Sequence, residues 1–346
     1  MRVFVTGASG HIGSALVPEL LAAGHEVVGL ARSDASGIAL AAAGSQVHRG
    51  DLDDPAGLRD AASGADAVVH LAFRHEAMQA GDFAGAVQTD QRAVEAIGDA
   101  LAGSGKPFVI ASGTLLLAFA GLGRTGTEAD ALPGGPRIDT ENALIALAER
   151  GVLSSAVRLP PTVHSTLDLH GFVPALIGLA RQHGTAAYLG DGANRWPAVH
   201  TLDAARLFRL ALESAPAGSR LHAVADQGVP FRQIAEAIGR HLDLPASRVA
   251  QEHAEQYLGY LAGFAGLDNP TSSAHTQQLL DWHPTGPACS RTSTAATTST
   301  PSRDHQPSHR RVGAPNRRCA GRNRAQRPSR RRGPRSPERG CRAGQP

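Results

Sequence analysis

The chain has 346 residues and a formal net charge of +3, a sum that joins two unlike parts. Residues 1–287 carry 19 Lys and Arg against 29 Asp and Glu, a net of −10, while residues 288–346 carry 15 Arg against Asp304 and Glu338, a net of +13. The basicity therefore describes no folded unit, and nucleic-acid binding is not inferred from it. No apolar run reaches the ~18 residues of a membrane-spanning helix, and Met1–Thr6 enters a strand-like run at once, leaving no stretch for a signal peptide. All three cysteines (Cys289, Cys319 and Cys341) lie beyond residue 287. The first 287 residues thus hold no disulfide, thiolate nucleophile or Cys-based zinc site. A cytoplasmic protein with a large core is expected.

Strand and helix signals alternate through the first 110 residues. Arg2–Thr6 reads as a short buried strand, followed by a glycine-rich turn over Gly7–Gly13 and a helix over Ile12–Ala23 that ends at Gly24. Then come a strand at Glu26–Ala31, a helix at Ala35–Ala43, a strand at Gln46–Arg49, a helix at Pro55–Ala62 and a strand at Ala67–Ala72. A long helix at Phe83–Ala102 leads to a fifth strand at Pro107–Ala111. This alternation predicts a parallel sheet with helices on both faces.

From residue 112 the rhythm loosens. Leu115–Pro136 is rich in Gly and Pro and reads as loops. A helix is expected at Asp139–Glu149, a sixth strand at Val152–Arg158, a helix at Gly171–His183 and a strand at Ala186–Leu189. Asp191–His200 reads as a polar loop centred on Trp196. Helices are expected at Leu202–Ser214, Phe231–His241 and Ala254–Gly263, where Tyr257, Tyr260 and Phe264 fall at core spacing. Residues 288–346 hold no Leu, Ile, Phe, Met, Trp or Tyr and one Val, Val312, so they are expected to be disordered. The segment reads as a frameshifted 3′ end of the gene, as an idle tail, or as an Arg-rich arm.

Thr6-Gly7-Ala8-Ser9-Gly10-His11-Ile12-Gly13 places Gly-x-x-Gly-x-x-Gly between a strand and a helix. Gly7 allows the tight turn, Gly10 lets a pyrophosphate approach the backbone, and Gly13 lets the helix close on the strand. These features predict a Rossmann-type doubly wound α/β fold. Its expected divisions are a nucleotide-binding core over 1–165 with core strands continuing after 185, substrate-lobe elements over 166–287, and the tail. The second strand ends Gly29-Leu30-Ala31-Arg32-Ser33. Arg32 there would pair with a 2′-phosphate, which favours NADP; Asp34 is the acid that would instead serve NAD.

Gly7–Gly13, Gly50-Asp51-Leu52, His70-Leu71-Ala72 and Arg158-Leu159-Pro160-Pro161-Thr162-Val163 together resemble the extended short-chain dehydrogenase/reductase superfamily. Within it, the chain is similar to the NAD-dependent epimerase/dehydratase and 3β-hydroxysteroid dehydrogenase-like group over roughly residues 1–285. The resemblance implies that Gly7, Ser9, Gly10, His11, Ile12 and Gly13 hold the cofactor's phosphates. It implies that Asp51 and Leu52 lie beside the adenine, that Leu71 and Ala72 line the adenosine ribose, and that Pro160, Pro161, Thr162 and Val163 border the nicotinamide.

The family's catalytic Tyr-x-x-x-Lys pair has no counterpart. The tyrosines are Tyr188, Tyr257 and Tyr260, none followed four residues later by Lys, and Lys106 is the only lysine. Arg137 and Glu141 stand at the Tyr and Lys spacing. Arg cannot supply a proton near neutrality, and Glu141 reverses the charge. The family's serine position falls near Ser112 and Thr114, either able to hold a substrate oxygen or to cap its own loop. His75 and His164 are candidates for proton exchange, with packing histidines as the competing reading. Arg195 and Trp196 are candidate substrate contacts, with an anchored loop as the alternative. No metal-ligand spacing is present.

The expected function is an NAD(P)-dependent oxidoreductase acting on a small carbonyl or alcohol without the Tyr/Lys pair. The alternatives are a non-catalytic dinucleotide sensor or scaffold, and a nucleotide-sugar epimerase or dehydratase. The expected partners are a small-molecule substrate and a second copy in a homodimer, with no membrane, and with nucleic acid met only by the tail.

Overall fold

The chain begins with β1 (Arg2–Thr6), α1 (His11–Ala22), β2 (Glu26–Ala31), α2 (Asp34–Ala42), β3 (Gln46–Arg49), α3 (Pro55–Ser63) and β4 (Ala67–His70). It continues through α4 (His75–Gln79), α5 (Phe83–Leu101), β5 (Pro107–Gly113), α6 (Leu115–Phe119), α7 (Ile138–Ala146), β6 (Leu153–Leu159) and β7 (Thr162–His164). The structure is a computed structural model that describes residues 1–289. The basic tail read above as disordered or frameshifted lies, from residue 290, outside the described residues.

Next come α8 (Phe172–His183), β8 (Ala186–Leu189), β9 (Arg195–His200), α9 (Thr201–Ser214), β10 (Ser219–His222), β11 (Asp226–Pro230) and α10 (Phe231–Leu242). The last elements are β12 (Ala246–Val249), α11 (Ala254–Leu258), α12 (Ala262–Ala265) and α13 (Ala274–Leu280). Seven strands form the main sheet in the order β10-β6-β5-β4-β1-β2-β3, and every pairing in it is parallel. This is the doubly wound α/β fold that the alternation predicted. Small sheets of β11-β9-β7 and β12-β8 complete the strands.

The central strands are buried because helices cover both faces, which is why they read as apolar runs without alternation. Val3, Val5, Val69, Val109 and Val157 point into one core with Leu16 and Leu20 of α1 and Phe208 of α9. Phe4, Val68, Phe108 and Ile110 point into the other with Leu58 of α3 and Ile97 of α5. Each such side chain contributes about 1.5–3 kcal/mol on burial. Trp282 closes the first core, with its indole N–H donating to the Asp203 carbonyl at 3.0 Å.

A third core gathers α8, β8, α10 and α11 around Trp196, Phe231 and Leu261. Between leaving this core and returning to it, the chain packs α9 on α1 and adds β10 to the main sheet. Strand order reverses between β4 and β1, and at that reversal the loops leaving the carboxyl ends diverge into a crevice. Among the described residues no helix is long and apolar enough to cross a membrane.

Candidate functional site: a dinucleotide crevice with an altered edge

The β1–α1 turn is shaped by what glycine lacks. Gly7 has φ +68°, and a Cβ there would stand 2.7 Å from the Ala72 amide nitrogen. A Cβ on Gly13 would stand 2.2 Å from the Gly7 carbonyl oxygen. A Cβ on Gly10 would lie 3.2 Å from that oxygen, a tight but smaller conflict. Gly10 is the N-cap of α1 and offers no side-chain cap, so the first-turn amides of a 12-residue helix face the crevice unblocked. These features fit a diphosphate. Thr6, Leu71 and Ala72 knit the turn to β4: the Leu71 amide donates to the Thr6 carbonyl at 3.2 Å, and the Ala72 amide to Thr6 Oγ1 at 3.3 Å. Ser9 is exposed on the turn, with His11 and Ile12 partly buried beside it.

Beside this turn, Arg32 leaves the end of β2 and is 54 % exposed. One of its guanidinium nitrogens reaches both carboxylate oxygens of Glu76 in α4, at 3.1 and 3.2 Å. Asp34 instead pairs with Arg49 at 2.8 Å. Asp51 accepts from Arg74 at 2.8 Å, Asp53 pairs with the same guanidinium, and Leu52 is buried beneath. Pro160 and Thr162 are buried after β6, while Pro161 and Val163 are partly exposed.

The positions of the missing pair have become two different structures. Glu141 is buried and clamped: Arg158 donates to it at 2.6 and 3.0 Å, Arg220 at 2.8 Å, and Ser112 Oγ at 2.6 Å. Burial alone would push the Glu141 carboxyl up, but Arg158, Ser112 and Arg220 outweigh it and hold it below the usual carboxylate range. Ser112 thus directs its proton at Glu141. Thr114 is fully buried and accepts from Asn269 Nδ2 at 2.9 Å.

Arg137, the residue before α7, has φ +65°, a left-handed conformation that costs a non-glycine residue about 1–2 kcal/mol. Its guanidinium lies 4.4 Å from the centre of the Phe73 ring, donates to the Ala111 carbonyl at 2.7 Å and stands 3.4 Å from Asp90 Oδ2. Behind Asp90, His70 Nε2 lies 3.1 Å from Oδ1, and His70 Nδ1 lies 2.7 Å from Thr6 Oγ1. His75 is exposed, with its ring 5.2 Å from that of Phe73.

His164 lies on the other side of the crevice. It is buried on β7, its ring 5.7 Å from that of His200, and its Nδ1 has no hydrogen-bond partner among the described residues. Burial, then the neighbouring His200 and His11, push its pKa down to about 4. His11 reaches Thr201 Oγ1 at 2.8 Å and Asp168 at 3.5 Å. His75 and His164 are therefore not one constellation.

Comparisons with known proteins agree with this fold. The model of the NAD-dependent epimerase/dehydratase family matches residues 3–118. An uncharacterised protein of Schizosaccharomyces pombe is 46 % identical over 287 residues, covering 82 % of this chain and 95 % of that one. The chain belongs to the NAD-dependent epimerase/dehydratase family. A 2-alkyl-3-oxoalkanoate reductase of Stenotrophomonas maltophilia is 32 % identical over 232 residues, covering 63 % of this chain and 67 % of that one. Among solved structures, the UDP-glucose 4-epimerase of Thermus thermophilus in complex with NAD superposes with a TM-score of 0.64 at 18 % identity, over 86 % of this chain and 99 % of that one.

Against that family background, one expected contact is corrected. Trp196 is not on a polar loop over a substrate; it lies on β9, fully buried between Phe172 and Phe231 in the third core, with ring centres 5.7 and 4.8 Å away. Large apolar area belongs there, which is why this tryptophan anchors the lobe. Arg195, next to it, is exposed and pairs with Asp268 at 2.7 Å. Sequence reasoning also missed Asp90, Phe73 and Arg220. Asp90 left a readable signal: it shares a helical face with Ala86, Ala93, Val94 and Ile97, all buried. An acid on such a stripe needs a partner. Among the described residues, no group of three or more His, Cys, Asp and Glu is placed to hold a metal ion.

Proposed function

We propose that this chain is an NADP-preferring oxidoreductase of a small carbonyl or alcohol, and that it exchanges the substrate proton without a tyrosine. The observation that carries the reading is the glycine cradle with its uncapped helix, set where β1 and β4 diverge. Gly7, Gly10 and Gly13 with the first amides of α1 would hold the diphosphate. Arg32 would hold a 2′-phosphate after exchanging Glu76 for it, and Asp34 is occupied with Arg49. When bound, a nicotinamide supplies hydride chemistry. His75 is the more accessible proton group, exposed beside Phe73 and Arg137; burial and then the Arg137 charge push its pKa down, so at neutral pH it would relay a proton from solvent rather than hold one, while His164, pushed down to about 4, is buried as well.

A second reading, a dinucleotide sensor without turnover, is favoured by one observation: Ser112 and Glu141 are spent on a buried brace. The two readings part in a single experiment. Purified protein is titrated with NADPH and NADH, then assayed for NADPH oxidation against aldehydes, ketones and 3-oxo carboxylates. The last group is included because of the reductase relative. Tighter NADPH binding with turnover of one class supports the enzyme. Binding without turnover across the panel leaves the sensor, and absence of binding removes both.

A further inference from the structure

We propose that Arg137 is a cofactor-positioning residue that grips the nicotinamide-side riboside of the dinucleotide through neutral oxygens. The inference rests on the cofactor reading above and goes beyond it by giving Arg137 a binding role of its own.

The placement follows from the sheet. The diphosphate cradle stands at the carboxyl end of β1, and β4 and β5 follow it in order away from the adenosine side at β2. Neighbouring strands are about 4.8 Å apart, so the second nucleoside of an extended dinucleotide comes to lie over the ends of β4 and β5. Arg137 is anchored there, on Phe73 just past β4 and on the Ala111 carbonyl within β5. Its side chain keeps 19 % exposure. Of the five guanidinium N–H donors, one meets Ala111 and one faces Asp90; the rest have no partner among the described residues.

The charge balance selects the guest. Asp90 is buried and already neutralises Arg137. Both ring nitrogens of His70 have partners, Nδ1 at 2.7 Å from Thr6 Oγ1 and Nε2 at 3.1 Å from Asp90 Oδ1. A second anion would compete with Asp90, whereas hydroxyl or amide oxygens would only add acceptors to free donors. Glu141, at the lysine spacing, offers nothing: both its oxygens are held by arginines. The left-handed backbone of Arg137 is the kind of local cost that persists where surroundings fix a side chain in a working position.

The test compares whole and half ligands on the full chain. NADPH carries the nicotinamide riboside; adenosine 2′,5′-bisphosphate does not. Should the wild-type chain prefer NADH, the matched pair is NADH and AMP. Arg137→Ala and Arg137→Met are expected to weaken NADPH roughly tenfold or more, leaving the bisphosphate within about twofold, and Arg137→Lys to recover only part of the loss, because an ammonium lacks the planar fork that stacks on Phe73 and carries the spare donors. Arg137→Met keeps the stem against Phe73 if the alanine variant folds poorly. A parallel fall of both ligands would show a structural role and overturn the proposal, as would unchanged NADPH affinity. Wild-type chain that binds neither pair would instead remove the cofactor reading itself.

Discussion

At the scale of single residues, charge at the altered positions is balanced inside the protein. Glu141 carries an acid into the interior, and Arg158 and Arg220 surround it. Arg158 is in turn held by the Asp130 carbonyl at 2.9 Å and lies 3.3 Å from His222 Nε2. Removing one member of such a set leaves a buried charge without its partner, a loss of about 3–5 kcal/mol. Glu141→Ala is therefore expected to lower the unfolding midpoint sharply, whereas Ser112→Ala removes one hydrogen bond and costs about 1–3 kcal/mol. Urea unfolding of the two variants checks this, and equal small effects would contradict the brace. Arg32 is the opposite case. Its pair with Glu76 is exposed on both sides and adds little stability. Arg32→Ala should leave stability within about 0.5 kcal/mol and abolish the preference for NADPH over NADH, while Glu76→Gln should strengthen it by freeing the guanidinium. Competition titrations of the two cofactors decide; an unchanged preference in Arg32→Ala would assign the 2′-position to another residue.

At the scale of elements, the β1–α1 turn separates folding from binding. A methyl group on Gly13 would overlap the backbone of Gly7 and Ala8, whereas one on Gly10 meets a single carbonyl at 3.2 Å. Gly13→Ala is expected to destabilise the fold by several kcal/mol, on the order of other overpacked backbone contacts. Gly10→Ala should fold and lose cofactor affinity by roughly tenfold, because its methyl group occupies the phosphate approach. Thermal unfolding beside NADPH titration of both variants tests this; an unstable Gly10→Ala would mean the turn is wholly structural. The same turn shows why part of the molecule was legible in the sequence. β1, β2 and the long α5 are set by local pattern: buried apolar runs, glycine stops and helical spacing; β3, the mostly exposed Gln46–Arg49, is legible only from the alternation of elements around it. β9 was not legible, because Arg195–His200 opens on an arginine and contains Pro197, and it becomes a strand by pairing with β11, itself the polar Asp226–Pro230, on one side and with the three-residue β7 on the other. α6 and α4 are five residues each, too short to show a period. At the site, the glycine turn is a contiguous motif, and its shape could be read directly. The Arg137–Asp90–His70–Thr6 chain joins residues from four places in the sequence and exists only once β1 and β4 pair.

Across the whole molecule, buried histidines tie stability to pH. His164 and His222 are both buried with pKa values pushed down to about 4, by burial first; His200 and His11 add to the effect at His164, and Arg158 at His222. His222 is committed as a neutral ring, with Nδ1 2.7 Å from the Ser272 carbonyl and Nε2 facing Arg158. In the unfolded chain each would titrate near its ordinary value of about 6.5. Between the two values the unfolded state binds more protons than the folded one, so stability rises with pH across that window. The contribution of each is complete above about pH 6.5 and declines as the pH falls towards 4, by about 3 kcal/mol per group at the very most. Glu141 and Asp90, both held below their ordinary range, extend the loss at lower pH; Asp168, raised by burial, opposes it in part. Unfolding free energies from urea titrations at pH 7.5, 6.5, 5.5 and 4.5 should change little over the first step and fall over the next two, these two rings together contributing up to about 2.7 kcal/mol per pH unit. His164→Gln should lower that slope by the share of one proton, about 1.4 kcal/mol per pH unit at most, because it leaves His222 and the likewise lowered His11, His75 and His200 in place. A stability that stays level from pH 7.5 to 4.5 would show that neither ring is kept neutral by the fold, and the assignment of His164 as a non-acid at neutral pH would fall with it.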